Sequence, residues 1–146
     1  MKIRNATQDE ISIWLEKEPS LKNVIWLGEN TLTLFAVDEN EQDIAFLFAF
    51  HREIEAPLNG KTEWFINVID VNESMRGQGV ASALIQEIIK IAKETNALQV
   101  RAYCDIQNVS SHMLWLKNGF GISPVKGASG QIPGSFVTYR IFGTTF

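Results

Sequence analysis

The chain has 146 residues, of which 45% are hydrophobic and 21% charged, enough to bury one core and too few for two domains of common size, so a single domain over residues 1–146 is expected. A formal net charge of -4, with 13 Lys and Arg scattered along the chain, excludes the basic footprint of a nucleic-acid surface. Cys104 is the only cysteine, which excludes an intramolecular disulfide, and the two histidines, His51 and His112, lie too far apart in sequence to announce a metal site. The N-terminal Met1-Lys2-Ile3-Arg4-Asn5 lacks the apolar stretch of a signal peptide, and the longest apolar run, Ile44 to Phe50, is too short to cross a bilayer. A cytoplasmic location is the resulting expectation.

In chain order, Lys2 to Ala6 reads as a first strand. Thr7 follows with Glu10 three residues on, the spacing of a capping box, so a helix is expected from there, with Ile11, Trp14 and Leu15 as its apolar stripe and Pro19 just past its end. Leu21 to Leu27 fits either a short helix or a loop that packs Val24, Ile25 and Trp26. Thr31 to Val37 alternates threonine with apolar residues and predicts a half-buried strand, and Asp38-Glu39-Asn40-Glu41 predicts the turn to a hairpin partner. That partner, Asp43 to His51, is apolar almost throughout and reads as a strand covered on both faces. Pro57-Leu58-Asn59-Gly60 breaks the chain before a further strand, Glu63 to Val71.

From Gln78 to Glu94 the apolar residues Val80, Ala81, Leu84, Ile85, Ile88, Ile91 and Ala92 recur at helical spacing, with Gln86, Glu87, Lys90 and Lys93 on the other face. Leu98 to Cys104 predicts a strand, Val109 to Lys117 a shorter helix, and Gly119 a left-handed residue that ends it. Two strand candidates remain, near Ile122 and from Phe136 to Phe142, around a Gly/Pro/Ser loop at Lys126 to Ser135. The order of elements is that of one mixed α/β domain.

The chemistry-bearing stretch is Arg76-Gly77-Gln78-Gly79-Val80-Ala81, which lies between a strand and the long helix. Glycine permits backbone torsions and a close approach that a Cβ would block, so several N–H groups can converge on an anion, and the helix N-terminus adds partial positive charge. A pyrophosphate suits such a turn. The Lys-Ser or Lys-Thr of a nucleoside-triphosphate loop is missing, as is the three-glycine dinucleotide fingerprint.

With these residues the sequence resembles the GNAT acyltransferase superfamily, whose motif is Gln or Arg, two residues, Gly, one residue, then Gly or Ala; Arg76, Gly79 and Ala81 match it. Asn108 to Phe120 resembles the family's second cofactor segment, an Asn, a short helix and a closing Gly-Phe, and Ile3 to Thr7 resembles its first strand. The resemblance implies an α/β fold with a mixed, mostly antiparallel sheet, splayed parallel central strands and flanking helices. It further implies acetyl-CoA as co-substrate, held in a V-shaped opening between Glu63 to Val71 and Leu98 to Cys104. On that reading backbone groups near Ile69 and Val71 hold the pantetheine, and Arg76 with the amides of Gly77, Gln78, Gly79, Val80 and Ala81 takes the pyrophosphate. Asn108, Ser111 and Trp115 then line the pantetheine arm. The implied activity is transfer of an acetyl group to a primary amine of a small molecule or peptide, the other reading being an acyl-CoA-binding domain without turnover.

Attack on a thioester needs a neutral amine, so a proton must be removed. Glu63 is the first candidate for a water-mediated base, with Asp70 and Glu53 behind it; each also reads as an exposed strand-end charge. Many family members carry a Tyr where this chain has Trp115, whose indole N–H donates a hydrogen bond but is no acid near neutral pH. Packing or thiolate stabilisation are the roles open to it. Tyr103 and Tyr139 are the only phenols and neither occupies that position. Cys104 has no histidine at a recognisable spacing to activate it and reads as a structural cysteine, with His112 a surface or cofactor-edge residue. The phenylalanine-rich third strand and the C-terminal strand are candidates for a homodimer contact.

Overall fold

In the computed structural model, which describes residues 1–141, the elements are β1 (Lys2–Asn5), α1 (Gln8–Lys17), β2 (Thr31–Val37), β3 (Asp43–Glu53), β4 (Thr62–Val71), α2 (Val80–Glu94), β5 (Gln99–Asp105), α3 (Val109–Lys117), β6 (Gly121–Val125) and β7 (Gly134–Arg140). The strands form a seven-stranded sheet in the order β1-β2-β3-β4-β5-β7-β6, antiparallel except for one parallel pair. β4 and β5 are neighbours in that order and are joined through α2, a crossover of the length that parallel neighbours require. This is the mixed, mostly antiparallel α/β architecture expected from the sequence. Contacts along the chain define two compact units, Met1–His51 with Ile66–Glu87, and Arg52–Phe65 with Ile88 onward.

In the first unit the capping box forms as expected: the Glu10 N–H donates to Thr7 Oγ1 at 3.2 Å and the Thr7 N–H to Glu10 Oε1 at 3.3 Å. α1 then buries Ile11 and Leu15 against Ile25 and Phe48, with Trp14, Leu21, Val24, Phe46 and Val68 packed around them. Pro19 does more than follow the helix. It opens a 3-10 turn, Pro19–Asn23, where its fixed φ is an advantage. The segment left open between helix and loop therefore holds one short turn and then buries Ile25, while Trp26 stays exposed and edges onto Phe48. β2 pairs with β1 on one side and β3 on the other, and Thr33 to Val37 are all buried, so this strand is covered on both faces rather than half-buried. Threonine alternation misled because a β-branched side chain suits a covered strand as well as an exposed one.

In the second unit β7 lies between β5 and β6, with Val100 opposite Tyr139 and Ile122 opposite Val137. β7 starts at Gly134, two residues before the expected Phe136. A Cβ at Gly134 would collide with the Cys104 carbonyl and the Tyr103 hydroxyl, so glycine is what lets the strand begin there. Phe142, the expected end of this strand, lies outside the described residues. Trp64 donates its indole N–H to Thr95 Oγ1 at 3.0 Å. Gly119 ends α3 with φ 87°, and Phe120 turns inward from it, 2% exposed, its ring 4.8 Å from that of Trp115 and 5.6 Å from that of Tyr139. Truncating Phe120 to alanine removes the ring these two aromatics share and is expected to cost about 3–5 kcal/mol of unfolding free energy, read from the midpoint of a urea titration.

Candidate functional site

In the first unit, β4 ends with Ile69 and Val71 half-buried and Asp70 exposed, and the chain passes through a 3-10 turn, Glu73–Met75, into the glycine turn. Gly77 and Gly79 take φ of 77° and 81°, which L side chains rarely adopt. A Cβ built at either meets no heavy atom within 4 Å, so the glycines serve the backbone course and leave the space beside it open. The Ala83 N–H donates to the Gly79 carbonyl at 3.0 Å, the first bond of α2. The amides of Val80 and Ala81 therefore stand ahead of the helical ladder, at its positive end. Val80 is buried and fixes this end, whereas Gln78 is exposed. Arg76 donates through Nε to the Val71 carbonyl at 3.1 Å, and its Nη2 lies 3.8 Å from Asp70 Oδ1. The open turn, the unladdered amides and the tethered cation are the donor set that a pyrophosphate requires. Asp70 also lines a cavity of about 400 Å³ with Trp14, Phe46, Asp43 and Asn72.

In the second unit, Asn108 caps α3, its Oδ1 accepting the Ser111 N–H at 3.0 Å. This leaves the exposed Asn108 amide group with its Nδ2 donors for a ligand. Trp115 is buried against Phe120 and donates its indole N–H to Ser111 Oγ at 3.1 Å. Of the two roles open to it, packing is the one the geometry supports, since its single donor is committed.

Glu63, the first candidate base, is not an exposed strand-end charge. It is 0% exposed and sits inside an ion cluster. Its Oε2 accepts from Arg52 Nε and Arg101 Nη2, both at 2.8 Å, and its Oε1 from Gln99 Nε2 at 2.8 Å. Burial pushes its pKa up, but the hydrogen bonds from Arg101, Gln99 and Arg52 outweigh burial and hold it below its ordinary value of 4.5. Both carboxylate oxygens are committed and proton affinity is low. Arg101 continues the cluster outward to Glu55, with both Nη atoms 3.3 Å from the two carboxylate oxygens. Glu53, the remaining candidate, accepts the Gly60 N–H in the β3–β4 loop. None of these arginine partners is legible locally. Period two puts Gln99 and Arg101 on one face of a strand, but nothing near them in sequence names Glu63 as their neighbour.

The structure corrects one premise of the Cys104 reading, that no histidine stands near it, and keeps the conclusion. Nδ1 of His112 lies 3.2 Å from Cys104 Sγ, so a histidine is at hand, brought there by the short step from the end of β5 to the start of α3. The same Nδ1 is 2.8 Å from the Asn108 carbonyl oxygen, which only accepts, and Nε2 is 3.2 Å from Ser135 Oγ. This assigns the proton to Nδ1 and makes Nε2 the acceptor of the serine hydroxyl. In that tautomer the ring has no lone pair for the thiol, and the buried Cys104 remains structural. Tyr103 stacks edge-on with Phe136 at 5.8 Å, and Tyr139 packs on Phe120. Among the described residues, no group of three or more His, Cys, Asp or Glu side chains is placed to hold a metal ion, and no helix is long and apolar enough to cross a membrane.

A mixed sheet whose fourth strand leads through an open glycine turn to the N-terminus of an amphipathic helix defines an acyltransferase fold. The chain belongs to the acetyltransferase (GNAT) family, whose sequence model matches residues 2–120, and it is an N-acetyltransferase by that membership. No curated protein matches the sequence. Among solved structures it is similar to Arabidopsis thaliana NAA60 in complex with acetyl-CoA, at 16% identity over 97% of this chain and 99% of that one, with a TM-score of 0.73. It is also similar to the ribosomal-protein-alanine N-acetyltransferase of Brucella melitensis, at 19% identity over 97% and 100% of the two chains and a TM-score of 0.70. An aminoglycoside 6'-N-acetyltransferase complexed with coenzyme A matches at 15% identity over the whole of both chains, with a TM-score of 0.69. At these identities the likeness is one of fold.

Replacing Glu63 by glutamine removes the charge between two arginines and is expected to destabilise the fold by about 3–5 kcal/mol at neutral pH. Because the folded-state pKa is depressed, the carboxylate's contribution is full above its ordinary value of 4.5 and is lost as pH falls through the lower folded value. The stability gap between wild type and Glu63→Gln, followed by denaturation at a series of pH values, should be flat near neutrality and shrink below pH 4.5.

Proposed function

We propose that the protein transfers an acetyl group from acetyl-CoA to a primary amine of a small molecule or peptide by direct attack of the amine. The observation that carries this reading is the glycine turn: two residues at positive φ, open space where side chains would stand, and the amides at the start of α2 beside them. Family membership supports it, as do the acetyl-CoA and coenzyme A bound by proteins of the same fold. On this reading the amides of Gly77 to Ala81 and the Arg76 side chain take the pyrophosphate. Backbone groups of Ile69 and Val71 in the first unit serve the pantetheine arm on this reading; in the second unit Asn108 Nδ2 and Ser111 are its candidate contacts, and Trp115 packs α3 against Phe120. The thioester supplies an activated acyl group and a good leaving group, so the Tyr absent at position 115 is dispensable and water can protonate the thiolate.

The amine must lose its proton before or during attack. Glu63, saturated by three donors, is given a positioning role in this reading, and the proton passes to water, to which Asp70 is the open carboxylate, with its side chain 61% exposed. The reading treats residues 1–146 as one catalytic domain and fits a cytoplasmic site, where coenzyme A thioesters and a lone reduced cysteine are both at home.

Gly79→Val tests it. The valine Cβ meets no protein atom but occupies the space reserved for the phosphates, and the left-handed φ costs about 1–2 kcal/mol. Coenzyme A affinity, measured by titration calorimetry, should fall by at least about ten-fold, a change that loss of one or two charge-assisted hydrogen bonds produces. Thiol release from acetyl-CoA across a panel of amines should fall with it. Unchanged affinity in a folded variant would overturn the assignment.

A further inference from the structure

The ion cluster around Glu63 holds its charges unequally. Arg52 and Arg101 both donate to one buried carboxylate. Arg101 is also paired with a second acid, Glu55, and that pair is of a different quality. Glu63 is 0% exposed and holds Arg101 at 2.8 Å, whereas the Glu55 side chain is 68% exposed and holds the outer Nη atoms at 3.3 Å. An exposed pair of this kind contributes little to stability and exchanges readily. Arg101, in contrast, is already placed: its side chain is 12% exposed and its guanidinium lies over the Phe136 ring at 4.8 Å. Its conformational entropy is spent before any ligand arrives, the condition for a strong two-pronged contact with a carboxylate.

Two further features mark the spot as built for a polar guest. Gln99 is 3% exposed and, with its Nε2 fixed on Glu63, its Oε1 has no hydrogen-bond partner; Arg101 Nε is likewise buried without one. Unmet buried donors and acceptors are costly, and a guest bearing both an acceptor and a donor relieves them. Beside Arg101 the partly exposed ring of Tyr103 stands edge-on to Phe136 and supplies an apolar wall.

We propose that the outer edge of Arg101 recognises a carboxylate carried by the amine acceptor, and that Glu55 is the resident counter-ion which this carboxylate displaces. The inference rests on the acetyl-transfer reading for its link to the acceptor, and on the ion cluster alone for the binding site. The acceptor class is then an amino acid, or a peptide with an acidic group near its amine, rather than a simple alkylamine.

Succinate is the probe for the site, titrated calorimetrically into wild type, Glu55→Gln and the double variant Glu55→Gln/Arg101→Gln. Removal of the competing carboxylate should tighten succinate by about five-fold, the size of an exposed ion pair, and removal of the arginine should abolish binding. Glu55 is exposed and tethers no buried group but Arg101, so its variant folds even if the double variant does not. Succinate affinity that is the same in wild type and Glu55→Gln, or absent from both, overturns the site. For the link to the acceptor, acetylation of amino acids is compared with that of their carboxamides. A kcat/KM ratio of acid to amide above about ten in wild type, higher still in Glu55→Gln, is expected. Equal rates with acid and amide overturn that link. Absence of all transfer, neutral amines included, counts against the acetyl-transfer reading instead, while the succinate titration still decides the site.

Discussion

Between β4 and α2 the chain must pass through two residues of left-handed conformation, and the course by which the backbone enters the long helix depends on that passage. For an L residue with a Cβ each such step is strained, yet at Gly77 and Gly79 no neighbouring atom forbids a side chain. The demand for glycine is therefore set by the backbone course and not by crowding. What that course delivers is a set of amides at the start of α2 and a carbonyl, that of Val71, facing back to accept Arg76. Buried Val80 holds the first turn of the helix in place, so the fold itself fixes the position of these amides.

The second constraint is electrostatic. A buried carboxylate among two guanidinium groups is a poor source of net stability, because desolvation offsets most of the attraction. Its effect lies in specification. Glu63 decides where Arg101 and Arg52 point, and the rings of Phe136 and Phe65 beneath them remove the remaining freedom. The same hydrogen bonds outweigh burial and hold the Glu63 carboxyl below its ordinary value.

The elements that were legible in the sequence are those whose signals are local. The Thr7 and Glu10 capping box, the helical period from Val80 to Ala92 and the Asn108 to Gly119 frame of α3 each sit within one turn or one period, and each recurs in the structure within a few residues. The glycine turn was legible for the same reason, since its residues act through their own backbone. The ion cluster was not. Glu63 is separated by 36 residues from Gln99 and by 38 from Arg101, and only the order of strands in the sheet brings them together. The Cys104 to His112 contact failed at shorter range, because the angle at which α3 leaves β5 is set by a loop whose conformation leaves no pattern in residue type. Burial of β2 on both faces also depends on what covers it, which its own alternation does not encode.

This contrast bears on how the chain divides its recognition. Contacts made by backbone amides tolerate change in the side chains around them, so a turn of the Gly77 to Ala81 kind can be kept while the remainder of the domain is altered, and proteins of 15–19% identity can share the fold. Contacts made by Glu63, Arg101 and Gln99 have no such latitude. Exchange of any one of them leaves a buried charge or amide without its partner, and a neighbour must change with it. Such a cluster changes in coupled steps, whereas a turn built on backbone amides persists through single ones. The ion cluster is accordingly carried by side chains that no local motif announces, and strand order alone assembles it.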